Sequence, residues 1–158
     1  MATIRSRRRW PLIEHALFAG TLGEPQAQGK TMTNSKDIDP TLPVQGQLEA
    51  YNARDIDAFM QWWAEDCQYF AFPSTLLAEG TAAIRARHIE RFKEPDLHGH
   101  LLSRIALDNL VIDHETVTRT FPEGAGEVDV VCIYEVSGGK ITKAWFKMGQ
   151  PRLHLATN

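Results

Sequence analysis

Between Val128 and Val136 apolar side chains fall on both faces of what reads as a strand: Val128, Val130, Cys132, Tyr134 and Val136 on one side, Val131 and Ile133 on the other. An antiparallel strand with one wet face alternates apolar and polar residues, so both faces of this one need cover. The tight turn Ser137-Gly138-Gly139-Lys140 joins it to a second strand ending near Met148. Upstream the period changes. Val44, Leu48 and Tyr51 recur at helical spacing within Pro40–Asn52, and Ile56, Phe59, Met60 and Trp63 repeat it after the break Arg54-Asp55, where Asp55 suits a helix N-cap. Residues 67–73 are short, aromatic and strand-prone, and residues 74–80 read as a connection. A third helix is expected over Thr81–Lys93, with Ile84, His88 and Phe92 as its stripe and Pro95 as its stop. Residues 97–113 read as one long bent strand or two, with a turn at Asp113-His114 before the strand 114–121 and a tight connection over Pro122–Gly126. Helices with one early strand, then a run of antiparallel strands, make an α+β domain with its helices on one face of a curved sheet.

The 158 residues suit one domain with a sizeable core. The formal net charge of −3 hides an asymmetry: residues 1–31 carry a net +3, so the remainder is at −6. A body of that sign is not expected to bind nucleic acid. Residues 1–38 hold the basic run Arg5 to Arg9 and a stretch rich in Gly, Pro, Gln, Thr and Asn without periodicity. They read as a disordered extension, a start-site artefact with Met32 as the true start, or a weak leader. No apolar run is long enough for a membrane helix, so no membrane partner is expected. Cys67 and Cys132 lie in apolar runs and read as buried small hydrophobes, without a disulfide framework or a cysteine zinc site; the default compartment is the cytoplasm.

Three stretches together, AYNARDIDAFMQWWAEDCQYFAFP, EGTAAIRARH and VVCIYEVSGGKITKAWF, resemble the nuclear transport factor 2-like superfamily, in particular its SnoaL-like and ketosteroid-isomerase-like branch. The resemblance covers about residues 41–150, and the SnoaL-like domain is set at 39–150 with 151–158 as a C-terminal tail. It implies a cone-shaped α+β barrel, with three N-terminal helices packed in the concavity of a strongly curved, mainly antiparallel sheet. It also implies a homodimer through the outer sheet face. Cys132 and its row would then face the cavity with Ala144, Phe146 and Met148, while Val131, Ile133 and Trp145 would meet a second copy, with Ile141, Lys143 and Lys147 also outward. The isomerases of this branch use an aspartate base, a tyrosine and a second, protonated aspartate. At those places this chain has Ala71 or Phe72, Gln47 and Cys132, so the ketosteroid isomerase mechanism is not expected.

The candidate chemistry is otherwise modest. His88 on its apolar stripe is an acid/base group or a core histidine. Tyr69 is a second catalytic candidate or a packing residue. Trp63 is a core residue or a cavity wall, and Phe72 is a candidate cavity wall. His98 and His100 share one side of a strand, and His100 is a candidate cavity-lining polar group or a surface histidine at the strand start, with a metal ligand the weakest reading. Arg119, between Val117 and Phe121, needs a carboxylate or an anionic ligand if it points inward, with Asp129 as one candidate partner. The basic helix face RARHIERFK (85–93) reads as solvated surface. No phosphate-cradling glycine loop or nucleophile motif is present, and no cofactor or metal is called for. Two functions remain open: an enzyme moving a proton on a compact apolar substrate as an isomerase, cyclase, dehydratase or hydrolase would, or a non-catalytic dimeric ligand- or protein-binding module.

Overall fold

A computed structural model describes residues 38–154. The expected extension over 1–38 lies, apart from Ile38, outside the described residues. The order is α1 (Thr41–Ala53), α2 (Ile56–Met60), β1 (Trp63–Ala71), β2 (Thr75–Glu79), α3 (Gly80–Arg91), β3 (His98–Leu107), β4 (Leu110–Phe121), β5 (Gly124–Ser137), β6 (Lys140–Met148) and β7 (Arg152–Leu153). The sheet runs β2-β1-β6-β5-β4-β3, with β7 added on β5, and only β1 and β6 pair in parallel. Three helices in the hollow of this curved sheet make the cone-shaped α+β fold. No helix among the described residues is long and apolar enough to cross a membrane.

Asp55 caps α2 by accepting from the backbone N–H of Asp57 and Ala58 at 3.1 and 3.0 Å. That helix is only five residues long. Trp63 fitted the helical period but is buried as the first residue of β1, where the backbone N–H of Ile141 donates to the carbonyl of Trp62 at 2.8 Å. The expected connection 74–80 instead contains the edge strand β2. The turn expected at Asp113-His114 lies at Asp108-Asn109, where Asp108 takes a left-handed φ of 52°. Asp113 and His114 are therefore in the middle of β4. Gly138 and Gly139 have φ of 58° and 75°, which suits the tight β5–β6 turn.

The row Val128, Val130, Cys132, Tyr134 and Val136 is buried, and on the other face Val131 is exposed and Ile133 half-buried. On β6, Ala144 is buried, and Lys143, Trp145 and Lys147 stand opposite Glu135, Ile133 and Val131. Ile141 breaks the expected alternation. A bulge between Glu135 and Val136 pairs Val136 with Ile141, which turns Ile141 into the core at 0% exposure. β7 falls in the expected C-terminal tail and is held by paired hydrogen bonds from Arg152 to Asp129, both at 2.9 Å. Phe59, at 1% exposure, anchors the aromatic cluster under the helices. Burying a side chain of that size contributes about 3 kcal/mol.

Candidate functional site

Inward-facing rows of the sheet meet the helices around one cavity of about 130 Å3. Strand register sets those rows. Asp113, Cys132, Phe146 and Ala71 stand side by side across β4, β5, β6 and β1, and the next row is Glu115, Val130 and Met148. Further along β4, Val117 and Arg119 continue the same face. Helix α1 closes the cavity with Gln47, Leu48 and Tyr51, and α3 does so with Arg87, His88 and Arg91. Gln47 and Tyr134 both line it, and the Gln47 Nε2 donates to the Tyr134 hydroxyl at 3.1 Å. Exposed Met148, Leu77 and Arg87 mark the mouth.

Glu115 is the chemically distinctive residue here. It is 5% exposed, lines the cavity, and its Oε1 has no hydrogen-bond partner. Burial, helped by the charge of Asp113, pushes its carboxyl up to about 7; Arg104 offsets part of this, and the Cys132 thiol lies beside it. Arg104 is fully engaged below, donating to both Asp113 oxygens at 2.7 Å and to Gln45 Oε1 at 2.8 Å. Asp113, at 0% exposure, is thus a paired anion, while Glu115 on the same face is not.

His88 lines the cavity, as do Tyr69, Arg119, Cys132, Phe146 and Met148. Its Nδ1 donates to the Ile84 carbonyl at 2.8 Å, and its ring packs on Phe59 at 4.3 Å. Burial lowers its pKa to about 4, so the imidazole is neutral at neutral pH with Nε2 as an acceptor. Burial also pushes the Tyr69 phenol up to about 12, leaving it a neutral donor stacked on Phe146 at 4.3 Å. The Cys132 thiol is raised by burial and is not a thiolate at neutral pH.

Three expected residues lie elsewhere. Trp63 is in the core behind the wall, against Phe59 and Tyr69 at 5.7 and 6.0 Å. Phe72 follows inward-facing Ala71 in the β1–β2 turn and is 49% exposed. His100 and His98 both face out, because Gly99 between them points in. There Asn52 clamps the Gly99 backbone, donating to its carbonyl at 2.9 Å and accepting from its N–H at 2.7 Å. Among the described residues no group of three or more His, Cys, Asp or Glu is placed to hold a metal ion. Arg119 points inward, but its partner is Glu94 (2.7 and 3.2 Å), not Asp129, which bonds Arg152 and Thr116. Arg87 and Arg91, taken as solvated surface, line the cavity.

A cone of helices and curved sheet around a cavity is the nuclear transport factor 2-like architecture. Residues 44–144 match the SnoaL-like domain family, and the chain belongs to it. Similar solved structures include an uncharacterised cystatin-fold protein from Novosphingobium aromaticivorans, with 22% identity, TM-score 0.63, and coverage of 70% of this chain and 98% of that one. A candidate ketosteroid isomerase from Kribbella flavida shows 17% identity, TM-score 0.62, and coverage of 72% and 81%. Wild-type IdmH, a candidate polyketide cyclase from Streptomyces antibioticus, shows 15% identity, TM-score 0.60, and coverage of 70% and 92%. At these identities the likeness is one of fold. No curated protein matches the chain in sequence.

Proposed function

We propose that the protein is a small-molecule enzyme in which Glu115 moves a proton on a compact, largely apolar substrate, as in isomerase or cyclase chemistry. The observation that carries this reading is the buried Glu115 carboxyl with an unpartnered oxygen in the cavity. A carboxyl titrating near 7 is present in both forms at neutral pH, which suits a general acid or base. The acid sought at Cys132 by resemblance stands one strand over, at Glu115 on β4, and opens into the same cavity. In this role Glu115 replaces His88 as the group that carries the proton. Neutral His88 and Tyr69 orient the substrate, and the Phe146 and Met148 side chains bury its apolar surface. The neighbours named as a candidate polyketide cyclase and a candidate ketosteroid isomerase act as support for this class of chemistry only through the shared fold.

The test is deuterium uptake from D2O into the enolisable positions of compact ketones such as 1-indanone and 2-indanone, followed by NMR. Exchange above the buffer rate that disappears in Glu115→Gln is the expected result. Ketones that bind without exchange would instead favour the non-catalytic binding module. The outer sheet face carries exposed Val131 beside half-buried Ile133 and Trp145, the last stacked on Phe70 at 5.6 Å. An apolar patch there suits a second copy of the chain, and a homodimer is part of this proposal.

A further inference from the structure

The mouth of the cavity differs in charge from the rest of the chain. Arg87 and Arg91 lie one helical turn apart on α3, and Arg119 reaches in from β4. One carboxylate serves the latter two: Glu94 accepts from Arg119 at 2.7 and 3.2 Å and from Arg91 at 3.2 Å. Glu94 also accepts from the Thr120 backbone N–H at 3.1 Å. Arg87 has no carboxylate partner among the described residues; it lies over the Tyr69 ring at 5.3 Å. Arg87 and Arg91 are both close enough to Tyr69 and His88 to act electrostatically on them. Three guanidiniums against one shared carboxylate leave the rim positive, on a chain whose formal net charge is −3.

The rest of the cavity limits what can meet that rim. Its volume of about 130 Å3 is close to that of an engineered apolar cavity of about 150 Å3 that accepts benzene. Phe146, Val117 and Val130 line it with apolar surface. Glu115 and Arg119 are four residues apart on one face of β4, about 13 Å along the strand. A molecule that touches both ends needs a ring-sized body inside and a group of opposite charge to the rim outside.

We propose that the substrate is an organic anion, an aryl- or cycloalkyl-carboxylate whose ring lies against Glu115 and whose carboxylate is held at the mouth by Arg87, with Arg91 and Arg119 adding to the field. This rests on the reading of the cavity as a small-molecule site, and it names the class of molecule that enters. Arg87 is the specificity determinant, because its charge is not already neutralised by Glu94. The deep end selects by size and apolarity, and the rim selects by sign.

The experiment titrates the full chain with phenylacetate, its neutral counterpart phenylacetamide, and the cation benzylamine. It is read by calorimetry at about pH 6, where the probe carboxylate is ionised while Glu115 keeps its proton. The expected order is phenylacetate, then phenylacetamide about tenfold weaker, then benzylamine weakest, as one charge-assisted contact implies. Raising the salt concentration narrows the gap. Arg87→Gln, at an exposed position that tolerates change, brings phenylacetate down to the level of phenylacetamide and leaves phenylacetamide unchanged. Equal binding of acid and amide, an equal loss of both in Arg87→Gln, or binding of neither would overturn the proposal. Glu115→Gln separates the two readings. The acid-over-amide preference persists in that variant if the rim sets it, whatever the variant does to deuterium exchange. Equal binding of acid and amide with exchange intact would remove the anion and keep the acid/base site.

Discussion

A carboxyl at Glu115 pushed up to about 7 from its ordinary 4.5 ties stability to pH with a definite sign. The folded state holds this proton more tightly than the unfolded chain, so its contribution is fully present below about 4.5 and is lost as pH rises through 7. The difference is roughly 3 kcal/mol. Glu115→Gln should therefore gain on the wild type by about that amount between acidic and mildly alkaline pH, as read by urea denaturation of both proteins at each pH. A gap that stays constant across the range would mean that Glu115 is not buried as described. His88 works in the opposite direction. Its pKa falls from 6.5 to about 4, so its contribution is present above 6.5 and is lost as pH falls toward 4. The wild-type profile alone mixes the two effects, and the difference between proteins separates them. By NMR the His88 imidazole should stay neutral from pH 8 down to about 5; a midpoint near its ordinary value would contradict the packing on Phe59.

Strand β4 carries Glu115 and Arg119, and its neighbours hold it in place. Gly99 on β3 faces it so closely that an added Cβ would lie 3.0 Å from Leu48 Cδ1 and 3.3 Å from Glu115 Oε2. Gly99→Ala should cost about 1–3 kcal/mol by overpacking and perturb the Glu115 titration, both measurable on one sample. A neutral outcome would mean that β3 does not press on the site. Below it, Asp113→Ala strands the Arg104 guanidinium and should cost about 3–5 kcal/mol in thermal or urea unfolding, where a loss under about 1 kcal/mol would place the pair in solvent. This strand also shows what the sequence could and could not reveal. The helical stripe Ile84, His88 and Phe92, the N-cap Asp55 and the glycine turn at Gly138-Gly139 are readable from spacing and residue type, while the inward side of the row through Cys132 comes from the family resemblance. Glu115 was hidden by a misplaced turn. With Asp113-His114 read as a turn, the inward face of the following strand starts at Val117. Moving the turn to Asp108-Asn109, itself a turn-prone pair, extends that face back through Glu115, Asp113 and Val111. His100 and Phe72 went astray for a related reason: alternation fixes which neighbours share a face, and only tertiary packing, here the Asn52 clamp on Gly99, decides which face is inside. Ile141 turned inward through a bulge that leaves no local signal in the residues.

At the scale of the molecule, the curved sheet has two faces with different work. Its hollow holds the helices and the cavity, and its outer side presents Val131, Ile133 and Trp145. Sedimentation velocity at micromolar concentration should give a dimer, and Trp145→Lys should give a monomer with its cavity intact; a monomeric wild type would remove the outer face from the account. The surroundings of Glu115 explain why its Oε1 lacks a partner. Glu115 is 5% exposed, Asp113 is already paired with Arg104, and Arg87 lies at the mouth over the Tyr69 ring. The proton-transfer role follows from that one carboxyl being buried, having an unpartnered Oε1 and holding a proton at neutral pH. The most direct measurement is the side-chain carboxyl 13C shift of Glu115 through a pH titration, assigned by comparison with Glu115→Gln. A midpoint near 7 is the expected result. A midpoint at the ordinary 4.5 would show a solvated or paired carboxylate and would contradict the site.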